Sequence, residues 1–367
     1  MTAIFALLSG APVRWSDLGF TRDEFFAFCD REELRGLVFS RLRSTDAADD
    51  WPSDIRDTLA QSAREETARD MLRREEIAGV LGALDARGVR AILLKGAALA
   101  YTAYPTPDAR PRLDTDVLID AADEATARTV LTARGYTAPP YCADLFAQFE
   151  MERTDNFGLR HVMDVHWKIS TQPVFADVLT YREMLPHAVP VPALGAAAIT
   201  PSAVDSLLLA CIHPVMHHQN AERVLWVYDT HALASRLTPR QFDDFVHRAR
   251  RKKVAAVCAH ALQLAQTLFG TAVPADVIRN LSKAVDEPSA EYLASQRRWH
   301  HELASSVRGL PRFADRVKLM RDVLLPSPSY MLGAYGLRGK PLAPWLLPAL
   351  YVHRNMRGAW KILMGKK

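Results

Sequence analysis

Two aspartates separated by one residue are the side chains of this sequence best suited to chemistry. Asp114 and Asp116 lie in residues 113–120, where apolar and polar residues alternate as in a β-strand. Side chains two residues apart on a strand point to the same face, so these carboxylates are expected side by side. Two neighbouring carboxylates resist ionising together unless a cation lies between them. Such oxygen ligands suit Mg²⁺, which binds one or two carboxylates together with substrate phosphates.

A third acid, Asp164, lies on another predicted strand, residues 160–169. By alternation, Asp164, His166 and Lys168 share one face of that strand. Trp167 and its apolar neighbours share the other face and are expected in the core. We expect Asp164 to complete a metal site if the two strands are neighbours. The alternative is an ordinary surface acid at the end of a strand.

Lys95, Gly96 and Ala97 stand where a predicted strand turns into a predicted helix. Backbone N–H groups at such a helix start bind phosphate, and the lysine would neutralise its charge. Arg110 and Arg112 come shortly before the paired aspartates, and the fork of donors on an arginine also matches phosphate. The alternatives are a simple strand-to-helix turn and salt bridges from these arginines to nearby acids.

A mixed α/β section between helical segments must position these residues. Its strands are predicted at residues 89–95, 113–120 and 160–169, and its helices at 97–104 and 121–135. Helical patterns occupy residues 1–88 and return from residue 200 onward. In the long helix predicted for residues 55–88, Leu59, Ala63 and Met71 recur at helical spacing on one apolar face, and Glu76 is predicted on the solvated face.

Three motifs in this order resemble the bacterial family of uncharacterised nucleotidyltransferases, part of the DNA polymerase beta-type nucleotidyltransferase superfamily. In that family a Lys-Gly turn, an Arg-x-x-x-Asp-x-Asp strand and an acid-x-His-Trp strand recur. The matching segments here are Leu93-Leu94-Lys95-Gly96, the run from Arg110 to Ile119, and Asp164-Val165-His166-Trp167. The resemblance covers residues 60–300, and its specific part is 89–170. Ala97 stands where the superfamily usually has a serine.

The resemblance implies an α+β fold, in which a small mixed-sheet nucleotidyltransferase core is flanked by an N-terminal helical segment and a C-terminal helical domain. It implies transfer of a nucleoside monophosphate from an NTP, with ATP expected, to a hydroxyl acceptor, and release of pyrophosphate. The acceptor would be a small molecule, a peptide natural product or a protein.

The resemblance also implies the roles within the site. Asp114, Asp116 and Asp164 would be the catalytic residues and would bind two Mg²⁺ ions, which hold the triphosphate and activate the acceptor hydroxyl. The residues expected to bind the nucleotide or its phosphates are Lys95, Gly96, Ala97, Arg110, Arg112 and His166.

Two other functions stay open on the sequence. An enzyme of the same fold could adenylylate a protein, as nucleotidyltransferase antitoxins do with a toxin, although those cores are typically short and this chain has two helical flanks. A non-catalytic module could instead retain the fold and bind a nucleotide or a partner. The presence of Asp114, Asp116 and Asp164 argues against the module, since binding alone does not need three carboxylates that face one pocket.

Composition excludes several classes of protein. With 49% hydrophobic and 24% charged residues, the chain is neither disordered nor a disulfide scaffold. Its net charge of +4 is too small to argue for nucleic acid. No signal peptide or membrane-spanning run is recognised. The four cysteines are scattered without a CxxC motif, which fits a reducing compartment, so a cytoplasmic protein is expected. They are Cys29, Cys142, Cys211 and Cys258.

Composition and predicted secondary structure divide the chain into four parts. The boundaries are an N-terminal helical segment at 1–88, the catalytic core at 89–180, a helical domain at 181–325 and a basic aromatic tail at 326–367. After Asp322 the sequence contains seven lysines and arginines and no acid. The tail is expected to pack over the helical domain, and binding to an anionic membrane surface, to RNA or to an acidic partner stays open.

Two features of the helical half are less specific. His213 and His217 are four residues apart beside His218, a spacing that brings imidazoles to one helix face, but the glutamate of a zinc-protease helix is absent. Packing against the catalytic core or contact with the nucleotide is expected instead. Asp229 and Arg223 are expected to form a buried ion pair between helices.

Overall fold

A mixed β-sheet is the centre of the fold. The computed structural model describes residues 2–139, 147–283, 287–294, 303–304, 307, 312–326, 328–337, 340 and 343–363. Within these residues six strands form one sheet: β1 (Ile92–Leu93), β2 (Thr115–Leu118), β3 (Gln148–Thr154), β4 (Arg160–His166), β5 (Val189–Pro190) and β6 (Ile199–Thr200). Their order is β3-β4-β2-β1-β6-β5. β2 and β4 run parallel, as do β1 and β6, and the other neighbours are antiparallel.

Helices precede, interrupt and follow these strands. The N-terminal helices are α1 (Thr2–Leu8), α2 (Trp15–Leu18), α3 (Arg22–Glu32), α4 (Arg35–Arg43) and α5 (Ser53–Asp85). Between the strands lie α6 (Lys95–Thr102), α7 (Glu124–Ala133), α8 (Pro173–Ala176) and α9 (Tyr181–Met184). After the sheet come α10 (Ala203–His217), α11 (Val224–Ala234), α12 (Pro239–Arg251), α13 (Ala255–Phe269), α14 (Ala275–Leu281), α15 (Phe313–Leu324), α16 (Pro328–Ala334) and α17 (Ala343–Leu363). This is the α+β fold expected from the sequence.

The two faces of the sheet differ in chemistry. On one face, Val117 and Val165 are fully buried in a hydrophobic cluster with the C-terminal half of α5 and with α7. On the other face, Leu118 joins a larger cluster that includes α1, α4, α10, α11 and α13. Asp116 and Asp164 alternate with the buried valines, so both carboxylates lie on this second face. The sheet thus has one mainly apolar side and one side that carries the two aspartates.

The three predicted strands are present, but the sheet is larger than expected. Sequence analysis missed β3, although Phe149 and Met151 alternate there with polar residues and are buried. The sheet also includes β5 and β6, which lie beyond residue 180, the expected end of the core. These strands have two residues each, too few for a periodic pattern.

The face predicted for the long helix α5 is corrected by the structure. Met71 is 62% exposed, whereas Asp70 is buried. Glu76, predicted on the solvated face, is also buried, and it pairs with Arg134 at 3.2 Å and Arg153 at 3.1 Å. The physical reason is a change of neighbours along the helix. Its N-terminal half packs in the larger cluster and its C-terminal half packs on the sheet, so a single apolar stripe does not run through it.

The chain after residue 312 contains α15, α16 and α17. Cys142, Arg338, Lys366 and Lys367, which entered the sequence predictions, lie outside the described residues. A search of the described helices found none with the length and hydropathy needed to cross a bilayer.

Packing of α5 on the sheet can be tested by one truncation. We expect Leu81→Ala to lower the free energy of unfolding by about 2–5 kcal/mol, because Leu81 is 2% exposed in the cluster beside the sheet. The exposed Met71 on the same helix is the matched control, and Met71→Ala should change stability by less than about 0.5 kcal/mol. Urea unfolding followed by circular dichroism measures both, and equal losses would contradict this packing.

Candidate active site

Asp116 and Asp164 are brought together by strand pairing. β2 and β4 are adjacent and parallel, and these two residues are direct partners in the register. Oxygen atoms of both carboxylates and a ring nitrogen of His166 lie within 4.8 Å of one another. Among the described residues, this is the only group of three or more ligand-type side chains close enough to hold one ion.

Lys95 and His166 hold the Asp116 carboxylate from two sides. The Lys95 Nζ donates to Asp116 Oδ1 over 2.6 Å, and His166 Nε2 donates to the same oxygen over 2.9 Å. His166 Nε2 also lies 3.3 Å from Asp164 Oδ2. Gln148 of β3 donates to that Asp164 oxygen over 3.0 Å. Four elements therefore meet at two carboxylates: β2, β3, β4 and the start of α6.

The charges of this group stabilise one another. Burial alone would raise the pKa of Asp116, but the charge of Lys95 and the hydrogen bond from His166 hold it well below its usual range. Burial alone would lower the pKa values of Lys95 and His166. Interaction with the aspartates outweighs burial, and both pKa values are raised. The site thus keeps Asp116 ionised and Lys95 protonated in a buried setting.

Asp114, the first of the paired aspartates, lies differently from its expected position. β2 begins at Thr115, so Asp114 precedes the strand and is exposed. It does not belong to the group of Asp116, Asp164 and His166. The negative charge of Asp116 and, second, partial desolvation of the carboxyl group by neighbouring atoms raise the pKa of Asp114 to about 6. Asp114 therefore borders the buried group and feels its charge.

The donor set fits a divalent cation. Asp164 Oδ1 and His166 Nδ1 are buried without a hydrogen-bond partner among the described residues. Burial of an unpaired carboxylate oxygen is costly, and a bound cation would satisfy it. Carboxylate oxygens suit Mg²⁺ or Mn²⁺, and an imidazole nitrogen is also accepted by transition metals.

The turn before α6 places Lys95 in an unusual backbone conformation. Its φ is +48°, in the left-handed region, which L-residues other than glycine adopt at a cost of about 1 kcal/mol. The bond from Lys95 to Asp116 offsets this strain. Gly96 and Ala97 follow in the first turn of α6, where backbone N–H groups have no intrahelical partner and are available to bind an anion.

Arg110 and Arg112 lie in buried ion pairs with acids far away in the sequence. Arg110 donates to both oxygens of Asp229 on α11, over 2.9 and 2.8 Å. Arg112 donates to Asp70 of α5, and its guanidinium lies over the ring of Tyr101 at 5.1 Å. Both arginines thus tie the loop before β2 to a helix. Their expected role in phosphate binding stays a prediction.

The expected pair between Arg223 and Asp229 is wrong. Asp229 accepts from Arg110 and from the hydroxyl of Tyr104, at 2.6 Å. Arg223 instead donates to the backbone carbonyl of Arg31 over 2.7 Å. Arg223 is the residue before α11, and Asp229 lies in the middle of that helix. The two therefore reach opposite neighbours, which helical spacing alone does not reveal.

His213, His217, His218 and Trp226 form a histidine–tryptophan cluster beside the site. The His218 ring stacks on Trp226 at 4.2 Å, and the His213 ring meets Trp226 edge-on at 5.4 Å. His217 donates to the carbonyl of Ile169 over 3.1 Å. In the described part of the chain these histidines form no group that could hold a metal. Packing against the core, one of the two roles expected for them, is seen at His217, and contact with the nucleotide stays a prediction.

A cleft lies between the start of α6 and helices α10 and α11, and its empty space, counted together with the part open to solvent, is about 440 Å³. Lys95 and Arg110 line one side, and His213 and Trp226 line the other. Thr200 also lines it; its hydroxyl and the Nδ1 atom of His213 are buried with no hydrogen-bond partner among the described residues. Lys95, which binds Asp116, thus also lines a cleft whose opposite wall combines aromatic and polar groups.

Several of these residues escaped sequence reasoning. Gln148 was missed together with β3, and the alternation of that segment would have revealed it. Asp70 completes a buried ion pair, but nothing local in the sequence distinguishes it from a surface acid, and for Asp229 an ion pair was expected while its partner Arg110 was missed. Nothing in the sequence indicates that Trp226 lines the cleft.

Comparisons with known proteins agree with the geometry. The model of the family described as "Uncharacterised nucleotidyltransferase" matches residues 19–270. That span includes the whole sheet and both walls of the cleft. No match was found among curated proteins.

The pair between Arg110 and Asp229 should be essential for stability. We expect Asp229→Ala to lower the free energy of unfolding by about 3–5 kcal/mol, because it leaves a buried guanidinium without its carboxylate. The exposed pair of Arg14 and Asp17 is the matched control, and Asp17→Ala should change stability far less, because solvent screens both charges. Both are measured by urea unfolding. A loss below about 1 kcal/mol for Asp229→Ala would mean that the pair is not buried.

Stability should fall in acid because of His217. Burial and, second, the charge of Lys95 lower its pKa to about 3, whereas an unfolded histidine titrates near about 6.5. The unfolded chain therefore binds a proton that the folded chain refuses, and stability is lost as the pH falls from about 6.5 towards 3. We expect wild-type protein to lose about 1–2 kcal/mol more than His217→Gln between about pH 7 and pH 5.

The exposed His187 provides the control substitution for this pH series. His187→Gln should follow the wild-type dependence of unfolding free energy on pH. Parallel curves for wild type and His217→Gln would contradict a neutral, buried His217.

Proposed function

Since the chain belongs to the uncharacterised nucleotidyltransferase family, we propose that it is a metal-dependent nucleotidyltransferase. It transfers a nucleoside monophosphate from an NTP to a hydroxyl acceptor and releases pyrophosphate. The observation that carries the proposal is the register of β2 and β4, which sets Asp116 beside Asp164 with Lys95 and His166 at hydrogen-bond distance. A purely structural ion pair would not need two carboxylates and an unpaired oxygen at one point.

In this proposal Asp116 and Asp164 are the principal metal ligands, and His166 either ligates or orients them. Asp114, exposed at the border of the group, faces the nucleotide and completes the site for the two Mg²⁺ ions that the family resemblance implies. When bound, the metal lowers the pKa of the acceptor hydroxyl and neutralises charge on the phosphates. Asp164 would position the acceptor, and its oxygen without a partner among the described residues supports this role.

The start of α6 binds the phosphates in this proposal. Lys95 supplies a positive charge, and the backbone N–H groups of Gly96 and Ala97 supply donors that do not depend on a serine hydroxyl. Arg110 lines the cleft while its guanidinium stays on Asp229. Its contribution, and that of the more buried Arg112, is therefore to hold the loop that carries Asp114, with any phosphate contact secondary.

The cleft receives the nucleotide or the acceptor. Trp226 offers an aromatic surface, and the unpaired polar atoms of Thr200 and His213 offer hydrogen bonds to a ligand. The helical domain, expected at residues 181–325, would thereby select the acceptor, which is a small molecule, a peptide natural product or a protein. ATP as the donor and a cytoplasmic location complete the proposal.

Nucleotidyl transfer is tested with labelled nucleotides. Purified protein, Mg²⁺ or Mn²⁺, and each α-labelled NTP are incubated alone and with a lysate of the source organism. We expect wild-type protein to label an acceptor and Asp116→Asn to lose more than about 100-fold in rate, because a carboxylate that holds the metal is removed. Asp57→Asn, at an exposed position on α5, is the matched control and should retain the wild-type rate.

The outcomes separate the candidate functions. Label on one protein would indicate a protein-modifying enzyme, and label on a small compound would identify another acceptor by mass. If NTP binds in a metal-dependent way but no label is transferred, the lysate lacks the acceptor. Equal labelling by wild type and Asp116→Asn would contradict the assigned site, and absence of both labelling and NTP binding would favour the non-catalytic module.

A further inference from the structure

Exposed apolar side chains are concentrated near the C-terminus. Among the described residues, thirteen large hydrophobic side chains are exposed, and nine of them follow residue 312. They are Phe313, Val317, Leu324, Leu325, Trp345, Leu346, Val352, Met356 and Trp360. A folded chain rarely leaves contiguous apolar surface in water unless that surface binds something.

On α17 the exposed side chains form one stripe. Trp345, Val352, Met356 and Trp360 follow at spacings of seven, four and four residues, which places them on the same face of an α-helix. They are 83%, 58%, 68% and 61% exposed, respectively. We call these four residues the α17 stripe. It runs through most of the 21 residues of the helix.

Side chains on the opposite side of α17 donate hydrogen bonds to backbone carbonyls near the end of α15. Tyr351 donates its hydroxyl to the carbonyl of Pro326 over 2.5 Å. Arg354 donates to the carbonyl of Val323 over 2.8 Å, and Asn355 donates to that of Leu324 over 3.0 Å. These contacts hold the helix in one orientation, so the α17 stripe points away from the segment that binds it.

The segment of chain that carries the stripe has charges of one sign. After Asp322 the sequence has seven lysines and arginines and no acid. Of these, Lys340 and Arg357 are exposed, and Arg357 directly follows Met356 of the stripe. The surface is thus apolar along its centre and basic beside it, which is the pattern of a helix that lies in the interface of an anionic bilayer.

We propose that the α17 stripe binds an anionic lipid membrane and anchors the protein at its surface. Tryptophans at both ends of the stripe favour the headgroup region, and Val352 and Met356 between them would enter the acyl boundary. The cations beside the stripe attract acidic headgroups. RNA is disfavoured, because the stripe itself carries no cation that could meet phosphates. This membrane binding is independent of nucleotidyl transfer.

Vesicle sedimentation tests the proposal with the full chain. We expect binding to phosphatidylcholine vesicles that contain phosphatidylserine to be at least about tenfold tighter than to phosphatidylcholine alone, and to weaken with salt. Met356→Asp should weaken it by a further factor of about ten or more, because a charge enters the stripe. Met71→Asp is the matched control, since Met71 is equally exposed on α5, and it should bind like wild type.

Two further measurements keep the result interpretable. Circular dichroism verifies that both variants are folded, and light scattering without vesicles reports association between copies. Equal sedimentation of wild type and Met356→Asp would overturn the proposal. So would a wild-type dimer that Met356→Asp dissociates, because a second copy would then cover the stripe. Nucleotidyl transfer by Met356→Asp in solution, assayed separately, should equal that of wild type.

Discussion

The buried carboxylate of Asp116 is the group on which the arrangement of the site depends. It lies in the middle of the sheet, 4% exposed, where an isolated negative charge would be strongly destabilising. Lys95 from α6 and His166 from β4 compensate that charge on one oxygen. Because the compensating groups come from separate elements, the charge can be buried only when β2, β4 and α6 are in place. The site therefore forms only together with the centre of the sheet.

The loop between α6 and β2 is fixed in a similar way. It carries Arg110 and Arg112, which reach α11 on the C-terminal side and α5 on the N-terminal side. These bonds cross 119 and 42 residues of sequence and link both helical flanks to the segment that leads into the paired aspartates. The flanks consequently contribute to the geometry at the start of β2, and Asp229 and Asp70, which lie outside the motifs, help to hold the loop that carries Asp114.

How much of this was predictable depends on the range of each interaction. Alternation is local, so β2 and β4 and the shared face of Asp164 and His166 followed from the sequence. The family followed from three motifs in order. The partners of Arg110 and Arg112 did not follow, because salt bridges to Asp229 and Asp70 arise only when distant helices pack. The buried positions of α5 were misjudged for the same reason, since Asp70 and Glu76 are buried by neighbours that the helix pattern does not reveal.

The length of α5 affects how the protein unfolds. At 33 residues the helix spans roughly 50 Å, and it contributes Leu59 to one hydrophobic cluster and Leu84 to the other. If either cluster unfolds, the half of α5 that packs in it loses its tertiary contacts. A helix without such contacts frays from that end. The two hydrophobic clusters are thereby coupled into one cooperative unit of unfolding.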